Sequence, residues 1–490
     1  METSSDKNKF PTKFKLISFY KEWEDSKNLL LKLKTSCLNE NLSIEEKFQE
    51  LSSLIKKFEN QYKKKINNYY SDIIKNNKNN CINLQKAIKS YFTDDENKFY
   101  SKLLPFIIEQ ALLIEERANS KYGEQTIPLM TSGKNMKVSI PKLLFLSIFS
   151  NNFFCNDKDF INQLNSEQEK LTEFTEWNRV DFYLIYNYNR TNGSQVAIER
   201  IKCLLGFFDF AQKIFELKNN YFEKDIIIER IVFNQKEINK NLLDCEYIFE
   251  EEDINIHCKD MDNPKIKTQS IVNFANRNFQ TGDIIPSATQ EEVLFCLRPE
   301  LYAAMFICQR VHENEIVIIS NAYKLMENSG YLNTFKFEKF KDNIFLNNDL
   351  SDNDNENILC LDATFEDHYL FESVIQDISK FYSACNYCSK KYNNAGISTG
   401  SWGCGAFDGD KAHKFLQQII CAKGNNVKLS YSTFNNQSYC NSLIKLLKSV
   451  IKYKPKVSDL YKLIIGFKGK KNIEFHKYLK DNLGDEFYID

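Results

Sequence analysis

The sequence predicts an α/β protein in which a layered strand-and-helix core follows a long helical portion. Three observations carry that expectation. From about residue 223 onward, short β-branched or apolar runs are separated by helix-like segments. Residues 1–125 place apolar side chains at three-to-four spacing, and residues 126–222 remain helical in pattern but become apolar enough to be largely buried. Finally, 490 residues exceed the roughly 250–300 at which one core stops growing, so more than one packed unit is expected.

Taken in order, residues 1–125 are rich in Lys, Asn and Glu, with Phe48, Leu51, Leu54, Ile55 and Phe58 on one helical face. They are read as an N-terminal helical extension. The KKK at 63–65 is read as a solvated face and not as a localisation signal. In 126–222, the helical accessory region, SIPKLLFLSIFSNNFFC (139–155) and QVAIERIKCLLGFFDFAQKIF (195–215) read as core helices. In 223–490, DIIIERIVF (225–233), QSIVNFA (269–275), NEIVIISN (314–321), NILCLDAT (357–364) and NVKLSYSTF (426–434) read as strands of a largely buried sheet. The Asn/Asp-rich NNDLSDNDNEN (347–357) reads as a surface loop, and no internal repeat is visible.

Composition excludes several classes. Lys and Arg number 65 against 66 Asp and Glu, a net charge of -1, so no global field favours nucleic acid or an anionic membrane. No apolar run approaches the roughly 20 residues of a membrane span. The 14 cysteines form no regular framework and no charged-then-apolar leader follows Met1, which points to free thiols in a reducing compartment, nucleus or cytoplasm. Cys385 and Cys388 form a CxxC without a second pair or a nearby His at zinc spacing, so they read as two thiols in a helical segment and no metal is expected.

STGSWGCGAFDGD (398–410) concentrates four of the chain's 15 glycines, Gly400, Gly403, Gly405 and Gly409. Glycine admits positive φ and lets a ligand approach the main chain. The helix-like KAHKFLQQIICA (411–422) follows at once, and a glycine loop feeding a helix N-terminus is an ordinary phosphate cradle; a tight structural turn is the competing reading. No Gly-Lys-Ser/Thr follows, and Asp408 occupies the third glycine place of a GxGxxG from Gly403, which disfavours ATP and NAD. Asp408 and Asp410 would repel phosphate unless turned away, for instance to cap the helix.

The second constellation is NFANRNFQTGDIIPSATQEEVLFCLRPEL (273–301). A strand ends near Ala275, and Gln290-Glu291-Glu292 opens a short helix that Pro299 interrupts. Successive helix residues point about 100° apart, so the two carboxylates cannot face each other across one glycosidic bond. One of them can address a reacting carbon while its neighbour holds hydroxyls; the plainer alternative is that both stabilise the helix dipole.

Together these stretches resemble one family. SIPKLLFLSIFSNNFFC, IVNFANRNF followed by QEE, PEL (299–301), GY (330–331), LDAT (361–364), the glycine stretch and SDLYKLI (458–464) occur in the order found in poly(ADP-ribose) glycohydrolases, over roughly residues 130–470. The resemblance implies a macrodomain-like α/β/α core that binds ADP-ribose, and hydrolysis of ribose–ribose O-glycosidic bonds in the polymer without a cofactor. It implies Glu292 as general acid and then base, with Glu291 and Asn276 holding ribose hydroxyls. Gly403, Cys404, Gly405, Ala406 and Phe407 would line the diphosphate, with Gln290 and Gly282 also on the substrate side; Tyr331 and Phe434 would close on the diphosphate and adenine. Cys404 reads as a small apolar filler, not a nucleophile.

Three places depart from the family pattern. Gln280-Thr281-Gly282 stand where the family has three glycines, Asn273 stands for an Asp near the reaction centre, and Ser401 stands for an Asn. A second expectation therefore accompanies the first: a glycohydrolase-like protein that binds ADP-ribose, or a protein partner through its N-terminal helices, without turnover. Direct nucleic-acid binding is not expected, and neither is a membrane.

Overall fold

Eight strands pair into one mixed sheet: β1 (Met136–Pro141), β2 (Asp225–Val232), β3 (Ile254–His257), β4 (Ser270–Phe274), β5 (Glu315–Ser320), β6 (Asn357–Leu361), β7 (Gly396–Thr399) and β8 (Lys428–Ser432). Their spatial order is β1-β2-β5-β6-β4-β7-β8-β3. The pairs from β1 to β6 are antiparallel, whereas β6, β4, β7, β8 and β3 run parallel. This is a computed structural model, and it describes residues 13–62, 81–156, 180, 182–188, 193–279, 288–342, 344–345 and 356–484.

Every residue of β5 and β6 is buried, as in a sheet covered on both faces. Period-two alternation divides them. Val317, Ile319 and Ile358 join a core shared with the helical portion, while Ile316, Ile318 and Leu359 join a second core on the opposite face. The first core is filled by α1 (Trp23–Leu38), α2 (Ile44–Tyr62), α3 (Lys142–Phe153) and α4 (Ser194–Glu216). Phe149 of α3 contacts the Phe207 and Phe208 rings of α4 at 5.4 and 5.8 Å. The second core is filled by α6 (Phe371–Lys391), α7 (Lys411–Gly424), α8 (Gln437–Tyr453) and α9 (Asn472–Leu483), α5 (Gln290–Leu297) belonging to the site described below. The result is the α/β/α layering expected of the sequence.

The five strands read from sequence are all present, and Phe48, Leu51, Leu54, Ile55 and Phe58 are buried on α2. One reading is corrected: residues 139–155 do not form a single helix. Ser139, Ile140 and Pro141 end the edge strand β1, paired with β2, and the helix starts at Lys142. Pro141 dictates this, because it pushes the residue before it into extended backbone and lacks the N–H a helix interior needs, yet it is tolerated on an edge strand. Residues 63–65 and 347–355 lie outside the described residues.

Cys385 and Cys388 are buried thiols on α6, as read from sequence, and all 14 cysteines are free. Among the described residues, no helix is long and apolar enough to cross a membrane.

Candidate active site

The C-terminal ends of the parallel strands share one edge of the sheet, and the chain leaves each of them into a loop. In such sheets that edge carries the ligand crevice. Here β4 leads to Ala275 and Asn276, β6 to the LDAT turn, β7 to the glycine stretch, β8 to Thr433–Asn436 and β3 to residues 258–263.

Helix α5 is fastened to the end of β4. Gln290 Nε2 donates to Val272 O at 2.9 Å while Phe274 N donates to Gln290 Oε1 at 2.8 Å, so this side chain extends the strand ladder onto the helix start. Thr289 is the N-cap and forms a capping box with Glu292: Glu292 Oε2 accepts from Thr289 N at 2.8 Å and from Thr289 Oγ1. The Thr-x-x-Glu pattern was present in the sequence as the signal for this role, alongside the dipole reading. Glu291 points elsewhere, as the 100° offset requires: its Oε1 accepts from Asn273 Nδ2 and its Oε2 from Asn276 N, each at 3.2 Å.

Both carboxylates are buried. Burial raises the pKa of each; the Glu292 charge raises Glu291 further, while the two N–H donors on Glu291 partly offset it. For Glu292, the Arg200 guanidinium of α4 and the Thr289 donors pull downward without overcoming burial. Glu292 Oε1 and Asn273 Oδ1 are buried with no hydrogen-bond partner among the described residues.

Opposite α5 stands the glycine stretch. Trp402 is buried and its Nε1 donates to Leu361 O at 2.9 Å, pinning the loop to the end of β6. Lys414 of α7 lies beneath, paired with Asp377, whose carboxylate also accepts from Thr364 N at 2.8 Å. Gly403 has φ +74°, and a Cβ there would lie 2.7 Å from the Ala363 methyl. At Gly405 a Cβ would meet nothing within 4 Å. Three of the four glycines thus serve close packing, and Gly405 leaves main chain open to the cleft. Asp410 is turned away as the phosphate reading required: it caps α7 by accepting from His413 N at 2.7 Å and accepts from His476 Nε2 at 2.8 Å.

One cleft of about 730 Å³, within the range of small-molecule sites, is walled by Gln290, Tyr331, Cys404, Gly405 and Phe434 together. The two sequence constellations therefore converge. Glu291, Glu292 and Asn273 lie buried behind the Gln290 wall, with Tyr331 linked to the Gln290 backbone and close enough to Glu292 to feel its charge. Asn276 meets the site through its backbone N–H; its side-chain Oδ1 accepts from Asn278 N at 3.0 Å. Phe407 packs edge to face on Phe365 and its carbonyl meets His368, away from the cleft, and Gly403 and Ala406 are not among the wall residues. Gly282 lies outside the described residues. Burial pushes the Cys404 thiol up to about 12, so it stays protonated.

The cleft also has walls that motif reading missed: Met261–Asn263, Lys324, the neighbours Ser432, Thr433, Asn435 and Asn436 of the expected Phe434, and Tyr439. Of these, Tyr439 OH sits 2.9 Å from Tyr431 OH and accepts from Ser401 Oγ at 3.3 Å. Their only sequence signal was position, at a strand's end, in the loop that follows it or, for Tyr439, in the first turn of the next helix.

A sheet with helices on both faces, carrying paired buried carboxylates and a glycine loop beside a cleft at its C-terminal strand edge, is the layout of a macrodomain-type protein. Residues 244–441 match the family model for the macro domain fold of poly(ADP-ribose) glycohydrolase, and residues 91–230 match the model for its helical domain. The chain belongs to the poly(ADP-ribose) glycohydrolase family. It is 28% identical over 194 residues to poly(ADP-ribose) glycohydrolase 1 of Caenorhabditis elegans, covering 36% of this chain and 25% of that one. Poly(ADP-ribose) glycohydrolase 2 of the same organism is 25% identical over 272 residues, covering 52% and 54%. The probable poly(ADP-ribose) glycohydrolase 2 of Arabidopsis thaliana is 24% identical over 242 residues, covering 41% and 46%. The matched part of this chain thus spans from a quarter to about half the length of these relatives.

Proposed function

We propose that this protein hydrolyses ribose–ribose O-glycosidic bonds in poly(ADP-ribose) and releases ADP-ribose, with Glu292 as the acid and then the base. The observation that carries the reading is the pair Glu291–Glu292, buried directly behind Gln290, which walls the same cleft as Cys404 and Gly405.

The hydrogen bonds divide the labour within the pair. Each oxygen of Glu291 accepts an N–H, which favours its charged form. Glu292 has one oxygen held by Thr289 and one with no hydrogen-bond partner among the described residues, so Glu292 Oε1 is the atom suited to carry the proton. Donating that proton to the departing ribose oxygen leaves a carboxylate, which then takes a proton from the attacking water. The Glu291 charge, held by Asn273 and Asn276, stabilises the developing oxocarbenium ion. Main chain at Gly405 receives the diphosphate, and Tyr331 with Phe434 flanks the base.

Purified protein and its Glu292→Gln variant are given labelled polymer, and ADP-ribose is measured. Turnover by the wild type that falls at least about a hundredfold in the variant supports the reading; equal product from both ends it.

A second reading, ligand binding without turnover, draws on Asn273 and on the capping bond that holds Glu292 Oε2. Under it, wild type binds ADP-ribose but releases none from polymer, and Asn273→Asp raises turnover.

A further inference from the structure

Where α5 ends, the chain places Arg298, a large cation only 1% exposed. Its Nη2 donates to Asp262 at 2.6 Å and to Glu356 at 2.9 Å. Its Nε and Nη1 are buried with no hydrogen-bond partner among the described residues. A guanidinium offers its donors as a planar fork, and leaving two of them unmet in a protein interior costs about 1–3 kcal/mol each, which a native site sustains when a ligand meets them.

Arg298 faces a second cleft, of about 620 Å³, lined by five basic side chains and three carboxylates. Two of the basic ones, Lys265 and Lys267, are exposed on the loop between β3 and β4. This cleft is continuous with the first: Asp262, Asn263, Lys324 and Glu327 line both. Six residues separate Glu292 from Arg298, about 9 Å along the helix, so one extended ligand can touch both ends.

We infer that this cleft is a second anion subsite, in which the free edge of the Arg298 guanidinium, with Lys265 and Lys267, takes a phosphate of the ADP-ribose unit next to the one in the first cleft. The inference rests on the proposed polymer substrate. The carboxylates Asp262 and Glu356 occupy only the Nη2 corner and orient the fork. The subsite separates a polymer end from free ADP-ribose, because only the polymer carries a second diphosphate.

The test is calorimetric, in a Glu292→Gln background that prevents turnover, with three probes: ADP-ribose, a two-unit ADP-ribose oligomer and inorganic pyrophosphate. Removing both exposed lysines, Lys265→Ala with Lys267→Ala, is expected to weaken the oligomer about tenfold while ADP-ribose changes less than about twofold. Arg298→Lys keeps the charge, loses the fork and is expected to weaken the oligomer and pyrophosphate together. If that variant fails to fold, the lysine pair decides alone. Equal losses for ADP-ribose and oligomer, or no loss for either, overturn the subsite. Failure of the polymer reading has another signature: wild type then ignores ADP-ribose but binds pyrophosphate, and Arg298→Lys abolishes that binding.

Discussion

Tyr331 and Phe434 meet edge to face, ring centroids 5.1 Å apart, joining two walls of the cleft that are distant in sequence. Phe434 is half exposed and holds φ +47°, a left-handed conformation that costs a bulky residue about 1–2 kcal/mol. An exposed aromatic kept in that conformation fits a ligand contact better than a core contact. Phe434→Gly removes the strain and the ring together. Melting temperature is expected to hold or rise, while ADP-ribose affinity falls by about 1–3 kcal/mol in a titration. A variant that binds ADP-ribose as tightly as wild type removes Phe434 from the site.

Gly403 and Gly405, two residues apart, are expected to respond oppositely to alanine. At Gly403 the added methyl meets Ala363 at 2.7 Å in a backbone with φ +74°, so Gly403→Ala is expected to destabilise the fold by about 1–3 kcal/mol. At Gly405 the methyl meets nothing within 4 Å, so Gly405→Ala is expected to melt like wild type yet bind ADP-ribose at least about tenfold more weakly. Thermal unfolding and titration on both variants check the pair.

Burial of the Glu291–Glu292 pair gives a stability that depends on pH with a definite sign. Both carboxyls are raised in the folded protein, so above the ordinary carboxyl value the folded pair still binds a proton that the unfolded chain has released, and the hydrogen bonds to Glu291 place that proton on Glu292. Stability contributed by the pair therefore falls as pH rises above that value. Glu291→Gln leaves one buried carboxyl in place of two and so lessens the dependence: relative to wild type it is expected to gain stability from pH 4 to pH 8 in urea unfolding. A constant difference across that range would show that burial does not hold the proton.

How far the sequence carried these arguments differs by element. Strands such as 314–321, with consecutive Ile and Val, were legible because a sheet buried on both faces needs unbroken apolar runs. Three strands of the same sheet were not. β1 was absorbed into the apolar helix after it, with Pro141 as the overlooked boundary. β7 was hidden because GIST leads directly into the glycine stretch, and β3 because INIH is only four residues long. At the site, the Gln290–Glu292 turn and the glycine loop were readable because each is a local pattern. The wall at Met261–Asn263 was not, since only sheet order β4-β7-β8-β3 brings the loop after β3 to face the Gly405 side, and Lys324, past β5, carries no local pattern either. No pattern in the sequence marks Arg298, and its unmet donors exist only in three dimensions.

His476 and Asp410 supply the last expectation, because they tie α9 to the helix that follows the glycine loop. His476 Nε2 donates to Asp410 Oδ2 at 2.8 Å, and that hydrogen bond, with the Asp410 charge, raises the His476 pKa above 6.5 against the effect of burial. A histidine raised in the folded state contributes stability that is complete below its unfolded value and is lost as pH climbs through the folded one. The loss is local, since α9 docks through Phe475, Leu479 and Leu483 into the second core and those contacts do not titrate. Amide exchange in α9, corrected for intrinsic rates, is therefore expected to quicken from pH 6 to pH 8.5 while α7 remains protected. His476→Gln is expected to show the faster exchange at both values. Because Asp410 caps α7 through His413 N independently of the histidine, the cap persists in that variant and ADP-ribose affinity is expected to stay within about twofold. Protection in α9 that ignores pH, or affinity that collapses with the histidine, would assign the Asp410 carboxylate a different duty.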